Sequence, residues 1–287
     1  MLVIYKRELK SYFTSVIGYL FLAITLIFTG ICCSIYNLYL KSPFFEEIVY
    51  LMSIIFIVAI PILTMRSLAE ERRHKTDQLL SSLPLSSTQI VLGKYFALVT
   101  ILAISVIAMV AYPIVLSFYG DVSLLTSLSS LCGLFLLGCC LIAIGLFVSS
   151  LTENQIIAAI ISFAITAASY LLPMAAQKLP NTVTVSYYLL FAIFILFGLL
   201  TWFLTKNLIV GVGVTLIFEV ILTIVYFYKD TLLAPAVNAI LDSTYLFDHL
   251  YNFIMGVFDL NTVVYYLSIA ALFIFFTVQS LERRRWS

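Results

Sequence analysis

The chain is built from charge-poor apolar runs, each about as long as a bilayer is thick, and this recurrence constrains its fold more than any other feature. A helix needs about 20 mostly apolar residues to cross a hydrocarbon core roughly 30 Å thick. By that measure eight runs qualify: 16–38, 47–65, 93–118, 124–150, 154–176, 187–205, 208–228 and 262–281. Within lipid every backbone polar group must be satisfied internally, and runs of this length satisfy theirs as helices. The expectation is an all-α polytopic membrane protein, with residues 1–287 forming a single transmembrane domain. Composition agrees, with 63% apolar and 10% charged residues against roughly 25% charged in soluble domains. Thr205-Lys206-Asn207 separates the sixth and seventh runs. Read as buried or re-entrant segments, those two leave six spans.

Either even count puts both termini on one side, and the positive-inside rule chooses it. That face collects Lys6, Arg7, Lys10, Arg66, Arg72, Arg73, Lys75, Lys94, Lys206, Arg283, Arg284 and Arg285, while the other has only Lys41, Lys178 and Lys229. The termini are therefore expected in the cytoplasm, and the chain in the plasma (inner) membrane. The first apolar run far exceeds the roughly 7–15 residues of a cleavable signal's apolar region. Cys32, Cys33, Cys132, Cys139 and Cys140 all lie in apolar runs, where they read as small buried residues rather than disulfides or zinc ligands. No basic-aromatic patch speaks for nucleic acid. His74 and His249 fall on opposite sides, so no histidine pair can hold a metal, and Gly93-Lys94 lacks the flanking residues of a P-loop. The chain is expected to have no catalytic residues, no metal and no cofactor of its own.

The charge that is scarce elsewhere gathers in one loop, where Arg66, Glu70, Glu71, Arg72, Arg73, Lys75 and Asp77 follow closely. Leu68, Thr76, Leu79, Leu80 and Leu83 recur at spacings that give a helix over 67–83 an intermittent apolar stripe. Pro84 disfavours helical geometry at Leu83 and should end it. Ser86 and Gln89 then match a capping box opening the third span. Residues 66–94 thus read as helix, break, capped helix. Ahead of the first span, Leu2, Tyr5, Leu9, Tyr12 and Phe13 line one face of residues 1–15, with Lys6, Arg7 and Lys10 elsewhere. That pattern is an interfacial amphipathic helix with its basic face toward anionic lipid headgroups. Pro61, Pro113 and Pro173 are candidate kinks, and Gly133, Gly138 and Gly145 let a neighbouring helix approach closely.

Residues 229–260 form the main external segment, in which Leu246, Leu250, Phe253, Ile254 and Val257 fit an amphipathic helix lying on the outer surface. Asp242, Asp248, His249 and Asp259 supply its polar part; it either gates an exit or docks a partner, or it seals the bundle. Glu219 stands midway through the seventh run. A lipid-facing charge there costs at least about 2.5–3.5 kcal/mol, so it should face the bundle, hydrogen-bond to a neighbour or stay protonated. It is then a substrate contact or proton relay, or a structural polar clamp.

The order of amphipathic helix, two spans, charged cytoplasmic helix and Gly-Lys opening the third span resembles the ABC-2-type permeases, the membrane subunits of type-2 ABC exporters. In that family the first loop carries paired acidic and basic residues, Gly-Thr-x-Glu-Leu-Leu, a proline, then Gly-Lys. Glu70, Glu71, Arg72, Thr76, Leu79, Leu80, Pro84, Gly93 and Lys94 match, while Lys75 replaces the usual glycine and Gln78 the usual glutamate. The distal run Phe247-Asp248, Gly256, Asp259, Val263 to Ser268 and Leu281 to Trp286 is similar to the gliding-motility-type, or GldF-like, branch. The resemblance implies a separate P-loop ATPase subunit, two copies per complex, holding ATP and Mg. It would dock on Glu70, Glu71, Arg72, Arg73, Lys75, Thr76, Gln78, Leu79, Leu80 and Pro84, with a second contact at Thr152, Glu153, Asn154 and Gln155. It further implies a second permease copy or related membrane subunit, and a GldG-like auxiliary membrane protein. Two other readings stand beside export: a proton-driven secondary transporter using Glu219, and a non-transporting component of an ATP-driven mechanical or signalling complex.

Overall fold

The computed structural model describes residues 1–76, 86–176, 183–205, 208–228 and 245–285. Among them there is helix and turn but no strand. Among the described residues, five helical stretches are long and apolar enough to cross a membrane: Val16–Tyr39, Glu46–Arg73, Ser87–Leu116, Leu124–Leu151 and Leu260–Arg283. The chain divides into two compact units, Met1–Ala168 with Leu246–Ser287, and Ser169–Tyr245.

Unit 1 opens with α1 (Leu2–Thr14), then α2 (Val16–Cys33) extended by a π-helical turn over Ser34–Tyr39. The buried face of α1 is Ile4, Glu8 and Tyr12, one turn apart each, rather than the stripe from Leu2 to Phe13. Leu2 is exposed, and Tyr5, Leu9 and Phe13 are only half-buried. The shift arises because Glu8, polar in any hydropathy reading, is paired with Lys94 of the third span and with Arg7 beside it, and goes inside. Next come α3 (Glu46–Thr64) and α4 (Arg66–Arg73), parted only by Met65. Pro61 sits within α3 without breaking it.

The third span is α5 (Ser87–Met109), followed after Val110 by α6 (Ala111–Leu116). Pro113 explains that break, since it offers no N–H to the Met109 carbonyl four residues back. The long α7 (Leu124–Leu151) is the axis of the unit and packs against α3, α5 and α12 (Leu260–Arg285), and against the short α11 (His249–Ile254). Three glycines make this packing possible. A Cβ on Gly133 would lie 2.7 Å from Phe253, one on Gly138 2.6 Å from Leu102, and one on Gly145 would clash with the Thr64 hydroxyl. Each α7 glycine therefore admits a different neighbour. Four of the five cysteines are buried and all are free, with Cys132 exposed.

The helix α8 (Gln155–Ala176) begins in unit 1, where the Thr166 hydroxyl donates to the Ile57 carbonyl at 3.2 Å. In unit 2, α9 (Val183–Thr205) and α10 (Leu208–Tyr228) stand where the sixth and seventh spans are expected. They run antiparallel: Tyr187 meets Tyr226 with ring centres 4.8 Å apart, Phe194 stacks on Phe218, and Gly198 abuts Thr215. Lys206 and Asn207 of the expected turn, Lys178 and residues 229–244 lie outside the described residues.

Candidate docking site at the charged end

The expected docking helix begins as an offshoot of α3. At Met65 the helical ladder is interrupted: the Leu68 amide, which an unbroken helix would direct to the Thr64 carbonyl, donates to the Ser149 hydroxyl oxygen at 3.1 Å. The Ala69 amide donates to the same oxygen at 3.1 Å, and Ser149 in turn donates to the Met65 carbonyl at 3.2 Å. Ser149 is fully buried and belongs to α7. The interruption thus sits at Met65, which itself keeps α-helical angles and where the sequence offers no proline or glycine to announce it.

The other end of α4 departs from expectation too. The helix ends at Arg73, not near Leu83. The Thr76 amide bonds the Glu71 carbonyl at 2.9 Å and the Lys75 amide bonds the Arg72 carbonyl at 3.1 Å. This is the Schellman pair of bonds, which requires a left-handed residue just past the cap. Lys75 takes that conformation, with φ of 55°. Where glycine is usual in the resembled family, lysine here occupies the geometry glycine favours. The break ahead of α5 is as expected on one side, with Ser86 accepting from the Gln89 amide at 3.2 Å.

Between the two ends of α4 lies a cluster of charge that no single stretch of sequence displays. Lys94, on α5, is 1% exposed, and its ammonium reaches Glu8 of α1 at 3.1 Å, Glu71 of α4 at 3.0 Å and the Ser67 carbonyl at 2.8 Å. Three donors meet three acceptors. Arg7 adds contacts to Glu8 at 2.6 Å and Glu71 at 2.8 Å, and Arg66 pairs with Glu70 one turn along. Burial favours the neutral form of Glu8, but attraction to Lys94 and the bonds from Arg7 outweigh it and hold its pKa below the usual carboxylate range. Burial likewise opposes the Arg7 charge and is overcome by Glu8 and Glu71, which raise its pKa. Gly93 lets α1 come this close, since a Cβ there would meet Ile4 at 3.1 Å. A cavity of about 320 Å³ opens beside the cluster, lined by Arg7, Glu8, Arg66, Glu71, His74 and Lys94 among others.

The model of the family described as ABC-2 family transporter protein matches residues 33–228, more than half of the chain. The chain belongs to the ABC-2 transporter family. It is a multi-pass membrane permease of an ABC transporter, and its family implies an ATP-binding partner subunit and no ATPase site of its own. Comparison with curated proteins and with solved structures gives no match.

In this ABC-2 permease the residues expected to dock the ATPase fall into three groups. Arg73, Lys75 and Thr76 are exposed; Glu70 and Glu71 are half-buried in ion pairs; Arg72 is buried. Gln78, Leu79, Leu80 and Pro84 lie outside the described residues. In the second loop Asn154 caps α8, its side chain accepting from the Ile156 amide at 2.9 Å, and Thr152 accepts from the Asn154 amide at 3.2 Å. Glu153 is exposed and Gln155 half-buried. This loop and the α4 site are joined through Ser149, and the Ser280 hydroxyl of α12 donates to the Ser150 carbonyl at 3.3 Å. Nothing in the sequence signalled Ser149, Glu8 or Lys94 as partners of α4, although Lys94 stood in the Gly-Lys pair.

The remaining candidates lie elsewhere in the permease. Glu219 is half-buried on α10, and its carbonyl accepts from the Thr223 hydroxyl at 2.7 Å. At the far end of unit 1, α11 has one buried and one exposed face, with Tyr251 and Asn252 exposed. Leu250 and Phe253 are wholly buried, with Phe253 pressed against Gly133 nine residues into α7. Val257 is exposed, because the helix has already closed at Gly256, which has φ of 75°. Asp248 is exposed, and the His249 ring lies 4.2 Å from that of Tyr265. Asp259 caps α12, accepting from the Asn261 amide at 2.9 Å and the Thr262 hydroxyl at 3.1 Å, and the Asn261 bond leads in lowering its pKa. Asp242 lies outside the described residues.

Proposed function

We propose that this permease is the membrane half of an exporter whose ATP-hydrolysing subunit docks on α4 and the residues after it. The supporting observation is the mounting of α4: Ser149 ties its base to α7, and Lys94 and Arg7 tie Glu71 to α5 and α1. A lever so held passes a push at its exposed end to the core of unit 1, as rigid-body coupling requires. Leu79 and Leu80 are the apolar anchors of the contact, and Arg73 and Lys75 set its orientation and encounter rate. ATP and Mg belong to the partner. The full assembly has eight spans per permease, two permease-type and two ATPase subunits, cytoplasmic termini in the inner membrane, and a GldG-like auxiliary protein of the gliding-type branch.

Leu79→Asp with Leu80→Asp should abolish co-purification of the ATPase while leaving membrane insertion intact. ATPase binding retained by that variant sinks the docking assignment. Transport that persists without any ATPase and disappears in Glu219→Gln would favour the proton-driven reading instead.

A further inference from the structure

We propose that the charged cavity of unit 1 binds the headgroup of a phosphatidylethanolamine, with the phosphate on the arginines and the ammonium on the carboxylates.

The cavity, of about 320 Å³, is lined by residues of α1 and α4 and by Lys94 of α5, and its volume is at the low end for small-ligand sites. It stands where the chain leaves the hydrocarbon. Lys10, Arg66 and Lys94 each border an apolar stretch free of Asp, Glu, Lys and Arg, over 11–40, 48–65 and 95–120. A cavity at that boundary is level with lipid headgroups. Helix α1 exposes Leu2 and Val3 beside Lys6 and Lys10, the mixture that suits a helix lying at the interface.

The lining is balanced in charge, with Arg7, Arg66 and Lys94 against Glu8, Glu70 and Glu71. A lone anion or cation would bring an uncompensated charge into a partly buried site, which is costly. A zwitterion brings both signs together. Both signs also keep hydrogen-bonding capacity open. The described contacts fall on Oε1 of Glu8, Oε1 of Glu71 and Oε2 of Glu70. One oxygen of each carboxylate is thus left without a hydrogen bond among the described residues. Arg7 engages through Nη2 and Arg66 through Nε, so each guanidinium has further N–H groups to offer. The His74 imidazole also lines the cavity and has no hydrogen-bond or ionic partner among the described residues. An ethanolamine ammonium presents three N–H donors to the open carboxylate oxygens, and its phosphate accepts from the guanidinium groups. Choline has no N–H to donate, and phosphatidylglycerol has no cation. The site therefore separates these three headgroups. It requires only that this end of unit 1 meets the membrane interface; docking of the ATPase is a separate matter.

The test uses the full chain in detergent without the ATP-binding subunit. Mixed micelles supply equal amounts of phosphatidylethanolamine, phosphatidylcholine and phosphatidylglycerol with matched acyl chains, and native mass spectrometry counts the lipid retained. One phosphatidylethanolamine should be held over phosphatidylcholine by at least about tenfold, the factor of one charge-assisted hydrogen bond. Arg66→Gln with Glu70→Gln keeps the charge balance and leaves the Lys94 contacts in place, and should bring that preference close to unity. His74→Ala, at an exposed position, should weaken retention and covers the case in which the double variant fails to fold. Equal retention of the ethanolamine and choline lipids overturns the site. Phosphatidylglycerol held ahead of both makes it a simple anion site and overturns the zwitterion. A preference that survives in both variants belongs to another part of the molecule and overturns this cavity. Free phosphoethanolamine that raises Tm while no phosphatidylethanolamine is retained overturns the lipid in favour of a soluble phosphoester. With the ATPase absent throughout, none of these failures touches the docking assignment.

Discussion

Two short helices, α4 and α11, close opposite ends of unit 1, and they are built alike. Each leans on α7, and each ends in the same pair of backbone bonds: Thr76 to Glu71 and Lys75 to Arg72 in α4, Val257 to Asn252 and Gly256 to Phe253 in α11. Both bury apolar side chains, Leu68 and Ala69 in α4, but α4 adds a polar mounting that α11 lacks. α11 is held by Leu250 and Phe253, which bury apolar surface without direction. α4 is held in addition by an ammonium, a guanidinium and a serine hydroxyl, each of which works only at its own geometry. An apolar cap tolerates small shifts and suits a seal. A polar mounting has discrete arrangements and suits an element that moves.

The contrast is broken most forcefully at Lys94. Lys94→Met leaves Glu8 and Glu71 without their buried cation, and removing one partner of a buried pair costs about 3–5 kcal/mol. Thermal unfolding in nanodiscs should show a large drop. The combination Lys94→Met, Glu8→Gln, Glu71→Gln should recover much of it, because no carboxylate is then left uncompensated. If the single variant is as stable as wild type, the cluster is not what holds α4. At the apolar end, Phe253→Ala should cost about 3 kcal/mol, at the low end for a buried phenylalanine because neighbours can collapse into the space. It should leave ATPase association unchanged; loss of that association would show that α11 also governs the charged end.

A smaller effect separates the two ends by pH. The Glu8 pKa is depressed in the folded protein, so its stabilisation is fully present above the unfolded carboxylate pKa of about 4.3 and is lost as pH falls through the lower folded value. Acid should therefore loosen α1 from α4 and α5 before it affects α11. Hydrogen exchange at residues 2–14 should rise below about pH 4 in wild type, and Glu8→Gln should flatten that rise. Equal acid sensitivity in both proteins would remove Glu8 from the account.

What could be read in the sequence follows the same division. Apolar spacing gave Leu246, Leu250 and Phe253 as a buried face, and the length of apolar runs located the described spans to within a few residues. The α7 glycines were legible as points of close approach because a missing side chain acts through sterics alone. The charged end was located but not resolved. Glu8, Glu71 and Lys94 are far apart in the chain, and local spacing carries no sign that they meet. Ser149 was harder still, since a serine at the end of an apolar run, here paired with Ser150, looks the same whether it bonds its own helix or another. The end of α4 was misplaced because Pro84 gave a visible stop, whereas the stop at Lys75 has no glycine to mark it.

The smallest effect is the most discriminating. Gly256 and Lys75 hold equivalent left-handed positions, with φ of 75° and 55°. A Cβ on Gly256 would also lie 2.7 Å from Thr126, so Gly256→Ala is opposed by both conformation and contact. Lys75 is exposed and bears only the conformational cost of a side chain at positive φ, offset in part by the greater freedom glycine has when unfolded. Lys75→Gly should therefore stabilise unit 1 by about 0.5–1 kcal/mol, read as a small rise in Tm. A residue kept against its own backbone preference at an exposed helix end is best explained by its charge. The same variant should then weaken association with the ATP-binding subunit, more at low salt than at high. Greater stability with undiminished association would make the lysine incidental, and α4 would differ from α11 in its mounting alone.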